Sequence, residues 1–281
     1  MAIGGVLRSR QHGVSGRAWQ PGRVPRPSAD AAIPWLLPLL ILLLWQLSLS
    51  LGVFKLHQLP APLTALSTAW DQLLAGRLQQ HTLATLGRVF GGFLIGSAAA
   101  LVLGTCVGLW RTIDRAVDPT LQALRTIPTL AWAPLLLLWM GIEEAPKLTL
   151  VAIGAFFPVY VNLVAGVRGV DRKLVEVGRV YDLSWWAIAR RIILPASLPN
   201  LLTGLRLGLS QAWLFVVVAE LIAATRGLGF MLTDSQNLSR VDLMIVAMLA
   251  LALLGKLSDM VLRAVEERLL GWRDTFAGTR T

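Results

Sequence analysis

Leu83–Trp110, which reads LATLGRVFGGFLIGSAAALVLGTCVGLW, decides the fold. After Arg88 it carries no charged residue for twenty-two positions. A helix that crosses a bilayer needs roughly 20 mostly apolar residues, at about 1.5 Å of rise each. Within the run, Gly92, Gly96, Ala100, Gly104 and Gly108 place a small residue at every fourth position. Helices in lipid gain nothing hydrophobic by meeting, so small residues that let backbones approach become a main source of association. The stripe therefore marks a face for close helix packing, either within one subunit or against a second.

Working outward from this run, five further spans can be placed: Ile33–Leu51, Thr120–Met140, Leu148–Val167, Leu201–Ala224 and Leu243–Leu262. The third in chain order, Thr120–Met140, is interrupted by Pro128 and Pro134 and has Arg125 near its start. Prolines are tolerated in membrane helices where neighbours satisfy the freed carbonyls. Composition agrees, with 55% hydrophobic and only 15% charged residues and a mean hydropathy of +0.64, against about 25% charged in an average globular protein. An ionised group at the bilayer centre costs about 2.5–3.5 kcal/mol, which drives charge into the connections. The expected fold class is all-α integral membrane, with six transmembrane helices.

Basic residues orient the spans. Eighteen of the 26 lysines and arginines fall on one side: the first 32 residues, the connection after the second span (Arg111, Arg115 and Arg125), the connection after the fourth, and the C-terminal segment. By the positive-inside bias both termini are cytoplasmic. Residues 1–32 read as a disordered basic cytoplasmic tail, and 33–51 as a retained first transmembrane helix rather than a cleaved signal. Residues 52–82 form a periplasmic loop, 83–265 the main transmembrane domain, and 266–281 a cytoplasmic tail. In the periplasmic loop Leu63, Leu66, Trp70, Leu73 and Leu74 share one helical face after Pro62. That helix could lie flat in the membrane interface or pack over the bundle as a lid.

A net charge of +10 raises the question of nucleic acid, but the basic residues flank apolar runs and line no single face. Cys106 is a lone cysteine inside an apolar run, and His12, His57 and His81 are scattered. No disulfide framework, metal site or catalytic constellation is expected. Polar residues at membrane depth are Arg206, Gln211 and Glu220 in the fifth span, with Lys256 and Asp259 in the sixth. Such residues face the bundle interior or a water-filled path. Glu220 is a candidate for lining the pathway or for an internal polar contact, and Lys256 and Asp259 can snorkel to the interface. Gly204 and Gly208 form a second, shorter stripe.

The connection from 168 to 200 is longer than two membrane helices need. Asp171 can N-cap one helix, with Leu174, Val177 and Tyr181 on a stripe. Ser184 can N-cap a second, in which Trp185, Ile188, Ala189 and Ile192 repeat at helical spacing and Arg190 and Arg191 favour the dipole at its end. Pro195 is expected to stop this helix and Pro199 to start the next span. Two short amphipathic helices with aromatic residues facing out read as a docking element, the alternative being a helix hairpin that floats on the inner leaflet.

Glu176-Val177-Gly178, three residues, Asp182, nine residues and Ile192-Ile193-Leu194-Pro195 resemble the EAA loop of importer-type ABC permeases. That motif reads Glu-Ala-Ala, three residues, Gly, nine residues, Ile-x-Leu-Pro. Val177 and Gly178 replace the alanines. Asp182 replaces the turn glycine, at a position that asks for a left-handed conformation which Asp tolerates better than most residues. Residues 175–181, 219–224, Gly227-Leu228-Gly229 and 253–259 are similar to the sulfonate/nitrate/taurine branch, first to aliphatic sulfonate permeases and second to taurine permeases.

The resemblance implies a type I ABC importer permease in the bacterial inner membrane that hydrolyses nothing itself. No G-x-x-x-x-G-K-[ST] loop is present, in agreement. Implied partners are an ABC ATPase subunit that holds the ATP, a periplasmic substrate-binding protein and a second permease subunit in a homodimer. No cofactor is implied on this chain. The implied ATPase-coupling residues are Glu176, Gly178, Asp182, Leu183, Ser184, Trp185, Ile188, Arg190, Arg191, Leu194 and Pro195. The first rival is an ion-coupled secondary carrier, which would show internal repeats and a relay of ionisable groups, and only Glu220 is a candidate for one. The second is a membrane enzyme, for which no convergent acid, base or nucleophile exists.

Overall fold

In a computed structural model the protein is described over residues 33–55 and 58–271. The expected tail 1–32, most of the tail 266–281, and His12 and His57 lie outside the described residues. The first span is α1 (Ile33–Ser50), which carries Pro38. The rest is built from α2 (Pro62–Leu74), α3 (Arg77–Leu109), α4 (Arg111–Thr126), α5 (Trp132–Met140), α6 (Glu144–Arg168), α7 (Arg172–Val180), α8 (Trp185–Ile188), α9 (Leu194–Ala223), α10 (Leu228–Asn237) and α11 (Val241–Leu269). Among the described residues, α3, α6, the continuous helix from Trp185 to Ala223, and α11 are long and apolar enough to cross a membrane. The bent pair α4–α5 makes a fifth if counted as one span, and α1 is a shorter apolar helix.

α6 is the central helix, packed along its length against α3 on one side and α9 on the other. The stripe on α3 explains the first contact, and it is made within the chain. A side chain at Gly92 would collide with Val151, one at Gly96 with the carbonyl of Ala152, and one at Gly108 with Val167. Ala100 is fully buried against Val159 and Tyr160. On the other side Gly204 and Gly208 of α9 receive Asn162, Val159 and the backbone at Ala155. α6 in turn opens Gly154 to Phe215 and Gly166 to Asn200.

The third expected span is not one helix. α4 and α5 meet at an angle of 84° across a single 3-10 turn, Thr129–Ala131. Pro128 is the cause, because its ring drives the preceding residue out of helical conformation, and Ile127 is extended at φ −73°, ψ 122°. Pro134 sits in the first turn of α5, where a missing N–H breaks nothing. α4 also begins nine residues before the expected span and carries Asp114 and Asp118, which pair with Arg168 at the end of α6. From there it climbs α6, with Ile113, Val117 and Leu121 against the cluster of Val159, Tyr160 and Val164. Arg125 consequently lies level with the middle of α6 and not in the connection after the second span, where its place in the sequence puts it.

α2 falls where the pattern placed it, but with the opposite face inward. Ala65 and Thr68 are buried and Thr68 donates to Asp242 of α11 at 3.0 Å, while Leu63, Leu66 and Trp70 are exposed. α11 is held to α9 by Arg206, which pairs with Asp259 at 3.4 Å and Glu266 at 3.2 Å, and by Trp213 donating to Ser258 at 2.8 Å. Asp259 is thus an interhelical partner rather than a snorkelling group.

If backbone contact through the stripe sets the packing, Gly96→Val should prevent recovery of monodisperse protein, or destabilise it by at least the 1–3 kcal/mol usual for overpacking. Gly87→Ala on the same helix, where an added carbon meets nothing within 4 Å, should be neutral or slightly stabilising. Size-exclusion profiles and thermal melts of the two variants decide this.

Candidate functional site

The connection from 168 to 200 folds as two short helices at one end of the bundle. Asp171 caps α7 by accepting from the N–H of Lys173 at 2.9 Å, and Ser184 caps α8 by accepting from the N–H of Ala187 at 3.3 Å. Both caps stand where the sequence puts them. α7 ends in a paired turn: the N–H of Leu183 donates to the carbonyl of Gly178 at 3.0 Å and that of Asp182 to Arg179 at 2.9 Å. This closure requires a left-handed residue between helix and exit, and Asp182 supplies it with φ +51°.

Gly178 is buried where α7 crosses α8, and an added carbon there would come within 2.8 Å of Ile192 and 3.1 Å of Ile188. Ile188, Ala189 and Ile193 are buried beneath α7, against Leu163 and Val167 of α6. Among the residues left outside are Leu174, Glu176, Val177, Val180 (82% exposed), Tyr181 (76%), Asp182, Ser184, Trp185 and Trp186 (62%), flanked by exposed Arg172, Lys173, Arg179, Arg190 and Arg191. Leu183 and Leu194 are half-buried. The connection therefore buries its own aliphatic side and presents an apolar, aromatic and basic face with two acids in it.

Pro195 does not stop α8. The chain passes through one wide turn, Ala189–Ile193, in which the N–H of Leu194 donates to Ala189, and continues as α9. The wide turn shifts the hydrogen-bond register just before a residue that has no N–H to donate, so the helix runs on through Pro195. Pro199 likewise lies inside α9. The part of the exposed face that α8 contributes, Trp185 and Trp186, thus lies in the first turn of a helix long and apolar enough to cross a membrane.

A second arrangement lies at the opposite end. Glu220 is 1% exposed. Its carboxylate accepts from Arg88 Nη1 at 2.8 Å, from Thr85 Oγ1 at 2.9 Å and from the N–H of Gly229 at 2.8 Å. Arg88 also grips Glu144 through two bonds of 2.7 Å and donates to the carbonyl of Arg226. The loop after α9 is fixed by the N–H of Leu228 to Thr85 at 2.8 Å and that of Gly227 to His81 at 3.1 Å. Gly227, at φ +129°, leaves no room for a side chain beside the Glu220 carboxylate. Glu220 is thus enclosed in a polar contact and faces no open route in this conformation. The sequence reading missed Arg88 and Thr85 as its partners and Glu144 as the second partner of Arg88. One signal was available: Arg88 precedes Gly92 by four residues and so continues the stripe that faces α6.

Comparison with known proteins places these features. Residues 92–271 match the family described as binding-protein-dependent transport system inner membrane component. A protein of Bacillus subtilis (strain 168), named as an aliphatic sulfonates transport permease, is 42% identical over 93% of this chain and 99% of its own length. A taurine transport system permease of Escherichia coli (strain K12) is 35% identical over 69% of this chain and 71% of its own. Among solved structures, the inward-facing methionine ABC transporter MetNI aligns with a TM-score of 0.61 at 16% identity, covering 71% of this chain and 98% of that one. The last likeness is one of fold.

Two outcomes test this geometry. Arg88→Met strands the fully buried Glu220 carboxylate, while Glu144 keeps Lys147 at 3.5 Å, and should destabilise by about 3–5 kcal/mol, whereas Glu220→Gln keeps its shape and costs about 1–3 kcal/mol. Thermal melts should rank them in that order. Asp182→Val should weaken the turn by about 1–2 kcal/mol, and Asp182→Gly should leave it equal or stronger. Amide exchange at Leu183 reads this as roughly tenfold faster exchange in the valine variant alone.

Proposed function

This chain belongs to the family of binding-protein-dependent inner membrane transport components, and we propose that it forms the translocation pathway of an ATP-driven importer for an aliphatic sulfonate. It is an integral protein of the bacterial inner membrane with the fold of an ABC importer permease. In the proposed assembly the spans are α1, α3, the broken pair α4–α5, α6, α9 and α11, with both termini cytoplasmic. A second copy of the chain completes the pathway. A periplasmic binding protein delivers the solute, and a separate ATPase subunit holds and hydrolyses ATP, so this chain needs no cofactor of its own.

The observation that carries the reading is the face presented by α7 and α8. A membrane-surface connection whose own aliphatic side is buried keeps Val180, Tyr181, Trp185 and Trp186 outside only if something covers them. Arg190, Arg191, Glu176 and Asp182 around them suit a polar-rimmed protein cleft better than lipid alone. Because α8 runs into α9, an ATPase that seats Leu183–Arg191 takes hold of a pathway helix directly. The choice of sulfonate rests on relatives from Bacillus subtilis and Escherichia coli that are 42% and 39% identical and named for aliphatic sulfonates. Taurine, itself an aminosulfonate, is the second reading, supported by the relative named for it at 35% identity.

Glu176→Lys should cut co-purification of the ATPase subunit and sulfonate uptake together, each by at least tenfold, while the permease still inserts. Unchanged values for both would reject the docking face. Growth of cells lacking the chain on alkanesulfonates as sole sulfur source, unimpaired relative to the parent, would reject the solute.

A further inference from the structure

Arg125 stands in the last turn of α4, on the cavity-facing side of the broken span. The elements around it fix its depth. Its neighbours in the cavity wall, Gly154, Phe157 and Pro158, are the middle of the 25-residue α6, and Leu207 and Gln211 are the middle of the 30-residue α9. A guanidinium about halfway through a span is expensive, by about 2.5–3.5 kcal/mol on insertion scales, unless it meets a counter-charge or a hydrated cavity. Among the described residues Arg125 has no ion pair and no hydrogen-bond partner, unlike Arg88, Arg168 and Arg206.

Beside it opens a cavity of about 380 Å³, within the range of about 300–1,000 Å³ in which small-molecule sites fall. Asn162 of α6 and Gln211 of α9 contribute to its wall with Arg125, between Phe157, Val161 and Leu207. The Asn162 amide uses one N–H on the carbonyl of Pro158 at 2.8 Å and keeps the other. Gln211, among the described residues, bonds to nothing. These three donor-bearing side chains from three helices thus share one space with the hydroxyl of Thr129, with one positive charge and no carboxylate in the wall. A sulfonate matches this set: it is ionised at every physiological pH and presents three acceptor oxygens to a planar fork of donors. The mid-span depth argues against a lipid headgroup, which sits at the interface.

We propose that Arg125, Asn162 and Gln211 form a mid-membrane subsite that holds the sulfonate group of the crossing solute, with Phe157, Val161 and Leu207 against its alkyl chain. This rests on the importer reading above and adds where the anion rests. A single unpaired arginine suits a transient station, since conduction needs binding that is favourable on entry and weak enough to leave.

The test uses the whole transporter, permease with ATPase and binding protein, in proteoliposomes with enclosed ATP and radiolabelled methanesulfonate or octanesulfonate. Arg125→Gln should lower uptake of both at least tenfold, with stimulation of ATPase by loaded binding protein within twofold of the parent. Arg125→Lys should restore a measurable part. Leu207→Trp, which fills the apolar wall and leaves the charge, should lower octanesulfonate uptake at least fivefold relative to methanesulfonate. Uptake by Arg125→Gln equal to the parent's overturns the subsite while the importer reading stands, because the parent still moves sulfonate. Loss of ATPase stimulation along with uptake makes Arg125 structural and also overturns it. A parent that moves no sulfonate rejects the solute, and the subsite with it. Should Arg125→Gln fail to assemble, Gln211→Leu and Leu207→Trp decide: rates and chain-length selectivity both unchanged overturn the proposal.

Discussion

The contact of α3 with α6 at Gly96 and the Ala152 carbonyl is the backbone-to-backbone approach on which the bundle depends. Lipid tails are as apolar as leucine, so helices inside a membrane are held by packing and polar contacts rather than by exclusion of water. α6 meets this constraint on two sides at once. Towards α3 it is the knob, entering the holes at Gly92, Gly96, Gly104 and Gly108. Towards α9 the roles alternate, since Gly204 and Gly208 receive α6 while Gly154 and Gly166 receive Phe215 and Asn200. Each close approach fixes the register of the next, so α3, α6 and α9 form one block. It leaves α11, only 11% buried over its apolar window against 61% for α6, as a peripheral helix.

The two ends of that block are finished differently. At the Glu220 end, polar groups from α3, α6, α9 and the loop into α10 close on one another until four of the five N–H donors of Arg88 are used, at least one on each nitrogen. Such a buried ionic set is weak evidence for stability, since well-packed apolar residues often do as well, but it specifies one arrangement of the four segments. At the α7–α8 end the opposite holds. Local hydrogen bonds are complete, through two side-chain caps and the paired turn at Asp182, yet the aromatic face is left uncovered. One end is closed internally, and in the proposed importer the other is closed by the ATPase.

What the sequence made legible follows from the range of the interactions involved. The caps at Asp171 and Ser184, the left-handed turn at Asp182 and the break near Pro128 are local, set by residues within a few positions, and each stands where the residues demand. The small-residue stripe announced a close contact but not its partner, because Gly92 and Gly96 look the same whether a helix of this chain or of another fills them. Pro195 misled for a specific reason. Proline stops a helix that keeps its four-residue register, and the wide turn at Ala189–Ile193 changes the register first. The stripe could place Arg88 on the face towards α6, but Glu220 as its partner was out of reach, 132 positions away with no pattern linking the two. Arg125 was assigned to the wrong depth because its level depends on where α4 starts to climb, and that is set by Asp114 and Asp118 reaching Arg168.

The continuity of α8 with α9 then constrains how a displacement at the docking face can travel. If Pro195 had ended the helix, a partner could move α7 and α8 as a hinged flap and leave the spans at rest. With the helix unbroken from Trp185 to Ala223, a displacement of Trp185 and Trp186 carries Gln211 at mid-depth and Glu220 at the far end with it. α9 cannot slide alone past α6, because Gly204 and Gly208 seat α6 backbone and side chains too tightly to change register without clashes. Nor can its far end separate while Glu220 holds Arg88. In the proposed importer the movement is therefore that of the whole block turning as a body. The α4–α5 pair, bent by 84°, turns with that block, because Asp114 and Asp118 hold α4 to Arg168 and Ala133 and Leu136 seat α5 against Leu150 and Phe215.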